Sequence, residues 1–208
     1  MNSPDVDLIE PEGECADLFD APTTFFLTHR ETIERWYALK RRADDAVHQY
    51  LLSFIDDIEE LGEQQGLQSG IFEVGRQHHC LLLWPSATPL RTDDAPPIGI
   101  GLSWKQGDVA IDGDRRAPCV GVRTGRGSDT VREAFLTAGD PESSRQVRQR
   151  HGYDSDRPWP VFRYMPGETA WWADLDGYRT RVMNELRDVI DLFRDRVDEA
   201  VRRAQNLR

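Results

Sequence analysis

The spacing of hydrophobic and polar positions changes twice along the chain. From His29 to Leu61 there is neither Gly nor Pro, and Ile33, Trp36, Ala43, Val47, Leu51, Phe54, Ile58 and Leu61 mark one face at three- and four-residue steps. Side chains so spaced share one side of a helix, which predicts an unbroken amphipathic helix over 29–61. Only Lys40 interrupts the stripe. Thr28 and Glu31 have capping-box spacing at its start, and Gly62 and Gly66 close it.

The middle of the chain then shortens its period. Segments 71–77, 79–84, 98–104, 109–112, 119–123 and 161–164 read as short strands, punctuated by Pro- and Gly-bearing turns such as Pro85-Ser86 and Asp112-Gly113-Asp114. Most connections are too short for parallel crossovers, so antiparallel pairing is expected. A short helix over 129–138, with Thr130 and Glu133 at capping-box spacing, interrupts the sheet region.

Past Asp174, a plausible N-cap, nothing after Gly177 breaks a helix to the end of the chain. Leu175, Tyr178, Val182, Leu186, Val189, Phe193, Val197, Ala200, Ala204 and Leu207 form its stripe. Their mean step of about 3.5 residues favours a left-handed helix-to-helix seam. At ~1.5 Å per residue each long helix reaches about 50 Å. A compact chain of this length is only roughly 43 Å across, from a radius of gyration of ~17 Å. The two helices are therefore expected to pair with each other or with those of a second copy. Trp36, Val47, Phe54, Val182, Leu186, Val189 and Phe193 are the expected interface.

These elements predict an α+β fold: a mostly antiparallel sheet of five or six short strands, with the N- and C-terminal helices packed together over one face or end. The domain runs over 23–208, with a helix at 29–61, a sheet region at 70–165 and a helix at 174–207. Residues 1–22 carry Asp5, Asp7, Glu10, Glu12, Glu14, Asp17 and Asp20 without a base, the composition of a mobile acidic tail. That start has neither the basic head nor the apolar middle of a signal peptide, and no run approaches the ~18 apolar residues of a membrane span. Three scattered cysteines, Cys15, Cys80 and Cys119, fit a reducing compartment, so a cytoplasmic, membrane-free protein is expected. With 26 basic residues of which only Lys40 and Lys105 are lysine, the composition also fits a GC-rich prokaryotic genome.

Charge adds one local contrast. The chain is acidic, at −11, yet between 115 and 150 Arg115, Arg116, Arg123, Arg126, Arg132, Arg145, Arg148 and Arg150 face only four acids. This island, extended by Arg157, could contact phosphates of a nucleic acid or pair internally with the acidic helices. Within it, 123–130 runs from a strand into a helix start with two glycines and two guanidiniums, a candidate loop for a small anion. Trp159, Trp171 and Trp172 form a candidate aromatic patch, against the plainer reading of corner packing.

Catalytic spacing is sparse. The His78-His79-Cys80 run puts His78 and Cys80 on one strand face and His79 on the other, too few for a zinc site without distant help. No P-loop, dinucleotide fingerprint, Gly-x-Ser-x-Gly elbow or Glu-x-Lys strand is present, and no cofactor is implied. The expected function is a non-catalytic interaction or regulatory module that self-associates as a homodimer or takes a partner protein through its helices. The alternatives are a nucleic-acid accessory protein of a defence or mobile-element system using the Arg island, and a small-anion or nucleotide enzyme at 123–130.

Overall fold

The computed structural model describes residues 20–74, 78–88, 95–106, 117–125, 128–138, 148–165 and 171–206. The chain divides into two compact units, Met1–Arg42 and Ala43–Arg208. The tail at 1–19, the expected strand at 109–112, and Arg115, Arg116, Arg126 and Arg145 lie outside the described residues.

In the first unit, helix α1 (Ala21–Thr28) begins where a mobile tail is expected to end. Asp20 caps it, accepting from the Thr23 amide at 2.9 Å. Thr28 therefore closes α1, with its hydroxyl donating to the Thr24 carbonyl, and is not the capping box of the next helix. Helix α2 (Arg30–Leu52) buries only Asp44, His48 and Leu51. Trp36, expected at a helix interface, is 66% exposed, and Tyr37 and Leu39 are exposed beside it. Within this unit no described residue is buried, so the stripe has nothing of its own to pack on.

The predicted 29–61 helix is broken after Leu52. The Ser53 amide is shared between the Gln49 and Tyr50 carbonyls, and the Phe54 amide donates to Leu51, three residues back. This tightened turn re-aims the axis so that Phe54 is fully buried. Helix α3 (Ile55–Gln65) then runs on through a buried Gly62 and stops at Gly66, which takes the left-handed conformation at φ 65°.

Five strands follow in one antiparallel sheet whose spatial order is the chain order: β1 (Leu67–Glu73), β2 (His78–Pro85), β3 (Ile98–Lys105), β4 (Cys119–Thr124) and β5 (Val161–Tyr164). The register places Leu81 and Leu83 opposite Leu102 and Ile100, and these opposite Val120 and Val122. Since side chains alternate across a strand, all of these lie on one face. That face carries the core, under α3, α4 (Asp129–Thr137) and the C-terminal helix α5 (Leu175–Asn206). Ser128 holds the N-cap position of α4 without a side-chain bond, so Thr130 and Glu133 do not cap it.

Asp174 does cap α5, accepting from the Gly177 amide at 2.9 Å. Val182, Leu186, Val189 and Phe193 are buried as expected, but Met183, Ile190 and Val201 are buried too. These adjacent pairs make a broad apolar face suited to a sheet, wider than a two-per-heptad coiled-coil seam. Accordingly α5 lies on β3, β4 and α4 instead of running along a second long helix. Its start does meet the N-terminal helices: the Tyr50 hydroxyl donates to the Leu175 carbonyl at 2.5 Å, and Arg179 pairs with Asp57 over the Phe54 ring. No helix among the described residues is long and apolar enough to cross a membrane.

Candidate functional site

The opposite sheet face follows from the same alternation. The sequence of β3, Ile-Gly-Ile-Gly-Leu-Ser-Trp, sends Ile98, Ile100 and Leu102 into the core and leaves Gly99, Gly101 and Ser103 behind. In β4, Val120 and Val122 go to the core while Cys119, Gly121 and Arg123 share the other side. Phe162 and Tyr164 of β5 join them by register. A Cβ on Gly101 would collide with the Leu81 carbonyl, and one on Gly121 with that of Val161. Only glycine admits this close strand approach, and Leu82 and Phe162 lean over the space it leaves.

This face holds a cavity of about 650 Å³. Cys80, Ser103, Cys119 and Arg123 line it from the strands, Trp159, Phe162 and Tyr164 bring aromatic surface, and Asp129 and Arg132 come from α4. Ser103 is fixed by donating to the His79 carbonyl at 2.9 Å and accepting from the Cys80 thiol at 3.3 Å. Burial pushes the Cys80 thiol up and the Cys119 thiol up to about 12, although Arg123 draws both down. At neutral pH both are thiols, not thiolate nucleophiles.

Arg123 is the unusual member. It is 4% exposed, yet among the described residues its guanidinium has neither a carboxylate nor a hydrogen-bond partner. It sits instead 6.0 Å from the centroid of the Trp159 ring. A buried cation without a counter-charge is costly, and ordinarily such a group is paired. Arg132, in the same cavity, has its Nε buried and unbonded while its other end reaches Glu133 at 3.3 Å.

Of the other described members of the expected Arg island, Arg157 also lines this cavity, while Arg148 and Arg150 do not. Arg157 grips both carboxylate oxygens of Asp129 at 2.8 and 2.9 Å, on the surface. Arg148 donates to the Pro160 carbonyl at 3.4 Å, and Arg150 is exposed. Of the expected aromatic patch, Trp159 is half-buried in the cavity wall, whereas Trp172 is exposed and is not part of that wall. Trp171 begins a single 3-10 turn, Trp171–Ala173. The sequence reading of 123–130 found Arg123 but missed Cys80, Ser103, Cys119, Phe162 and Tyr164. For Ser103 and Cys119 the signal was present as the residues alternating with the apolar core positions of β3 and β4; for Phe162 and Tyr164, as the aromatic half of β5.

His79 points to the helix side. Its ring lies 4.4 Å from that of His48 and stacks on Trp104, whose indole donates to His48 Nδ1 at 3.1 Å. Burial, and then the neighbouring His79, hold His48 below the ordinary histidine value of 6.5, against the pull of Asp45 and Glu73. Among the described residues no three His, Cys, Asp or Glu side chains converge to hold a metal.

The His48 environment gives a pH prediction. The folded state keeps this imidazole neutral while the unfolded chain takes up a proton near the ordinary value, so stability falls as pH drops through about 6.5. Thermal unfolding at about pH 7.5 and about pH 5.5 tests it: the wild type loses more melting temperature than His48→Gln, whose amide oxygen still accepts from Trp104. Equal losses contradict it. No family model, no curated protein and no solved structure matches this chain, and the cavity's chemistry stands on its own side chains.

Proposed function

We propose that the protein is a binding module that takes an anionic small molecule in the cavity above β3 and β4. The observation that carries this reading is Arg123, a guanidinium almost wholly buried against the cavity and in ion-pair contact with no carboxylate among the described residues. A ligand carboxylate or phosphate oxygen supplies the missing charge and hydrogen-bond acceptor, and a fork of N–H donors suits such groups. The neutral thiols and the Ser103 hydroxyl, whose proton is held by the His79 carbonyl, add no negative charge beside it. Arg148 and Arg157 are engaged within the chain, which favours an internal anion site over a phosphate-tracking surface.

Anion titration followed by thermal unfolding tests the reading. A ligand present at ~100 times its dissociation constant stabilises the fold by about 2.7 kcal/mol, so acetate, 2-naphthoate and inorganic phosphate are each raised until the shift saturates. At least one of them raises the melting temperature of the wild type and of Arg150→Met, and the rise vanishes in Arg123→Met. A flat response to all three, or an equal rise in Arg123→Met, contradicts the site.

A second reading is favoured by the unit Met1–Arg42. Phe25, Phe26, Leu27, Trp36, Tyr37 and Leu39 are all exposed there, at 45% or more of their surface. Apolar aromatic surface in such quantity marks a protein-binding element, and we propose self-association through it. Light scattering then gives a dimer for the wild type and a monomer for Phe25→Glu with Trp36→Glu. A monomeric wild type contradicts it.

A further inference from the structure

We infer that the ligand of this cavity is an aromatic acid: one carboxylate seated on Arg123, with its ring lying on the Trp159 indole. The inference rests on the anion-site reading above and adds the chemical class. Three independent features of the cavity point to it.

Charge comes first. Arg123 is the deep cation without a partner among the described residues, so one formal charge awaits neutralisation. Arg157 is taken by Asp129 in a two-pronged pair, and Arg132 is engaged by Glu133. Asp156, exposed, also lines the cavity and accepts from the Arg157 amide at 2.6 Å, which adds a carboxylate to its wall. With Asp129 held by Arg157, Asp156 is the remaining acid of the wall, and it opposes a phosphate dianion more strongly than a monoanion.

Size comes second. A cavity of about 650 Å³ lies within the ~300–1,000 Å³ of sites for drug-sized ligands. An inorganic ion displaces only a few waters of ~30 Å³ each and leaves most of that space unfilled. The rest of the volume calls for a hydrocarbon body.

The walls come third. Trp159 is half-buried and already presents its ring to the Arg123 guanidinium, so a planar ring attached to a carboxylate on Arg123 comes to lie against the indole. Phe162 and Tyr164, edge to face at 5.3 Å, add further aromatic surface. The thiols of Cys80 and Cys119 remain protonated and give soft, uncharged contact at the strands.

Isothermal titration of the full chain with 2-naphthoate, its uncharged counterpart 2-naphthamide, acetate and inorganic phosphate tests the inference. We expect 2-naphthoate to bind at least tenfold tighter than the other three. Affinity should fall at least tenfold in Arg123→Met and in Trp159→Leu, which keeps apolar bulk in the wall, and be unchanged in Trp172→Ala, outside the cavity. Acetate or phosphate binding as tightly as 2-naphthoate, with loss in Arg123→Met, overturns the aromatic acid but leaves the anion site standing. Amide binding equal to that of the acid, and insensitive to Arg123→Met, overturns both. Absence of binding by every probe also overturns both.

Discussion

Strand alternation against a helix-covered main core is the constraint from which the rest follows. Leu81 and Leu83 of β2, Ile98, Ile100, Leu102 and Trp104 of β3, and Val120 and Val122 of β4 alternate along their strands and meet α3, α4 and α5 in one apolar cluster. Register is then fixed, because a slip of one residue would carry glycine, cysteine and arginine into the core. The same constraint decides what stands on the reverse side. Gly101 and Gly121 allow close strand approach there, and Arg123, Ser103 and the two thiols are left on the face that holds the cavity.

Much of this was legible in the sequence. Strands β2 to β5, the antiparallel order and the buried stripe of α5 follow from period and turn residues, whereas β1 begins at Leu67, four residues before the predicted 71–77 strand; the capping role of Asp174 follows from its place before a Gly-bearing helix start. Three features were not. The break at Ser53-Phe54 has no Gly or Pro to announce it; it arises because Phe54 is drawn fully into a core assembled from distant residues. Trp36 has helical spacing but is left exposed among the described residues, and spacing alone cannot supply an apolar neighbour to cover it. The α5 stripe was read as a seam because doublets such as Val189-Ile190 were counted once, although their width is what distinguishes a sheet-packing helix from a coiled coil.

The site was half legible for a related reason. Reading 123–130 as a loop entering a helix located Arg123, but treated the glycines as turn formers. Gly99-Ile100-Gly101 fails as a dinucleotide motif and succeeds as a strand with one bare face. Likewise the His78-His79-Cys80 run was split correctly by face, yet its two sides serve different ends: Cys80 borders the cavity, while His79 packs on His48 and Trp104. The described members of the Arg island differ in their partners. Arg157 has Asp129 within reach and Arg148 has a backbone carbonyl, whereas Arg123 has neither among the described residues.

A buried guanidinium without a counter-charge destabilises the protein that carries it, and proteins keep such groups where function requires them. If Arg123 were a structural residue, removing it would weaken the fold; if it awaits an anion, its removal relieves a desolvation cost that the contact with Trp159, about 0.5–2 kcal/mol, offsets only in part. Urea unfolding of the ligand-free protein separates the two directly. The account predicts that Arg123→Met is as stable as the wild type or more so, and a loss of about 2 kcal/mol or greater contradicts it.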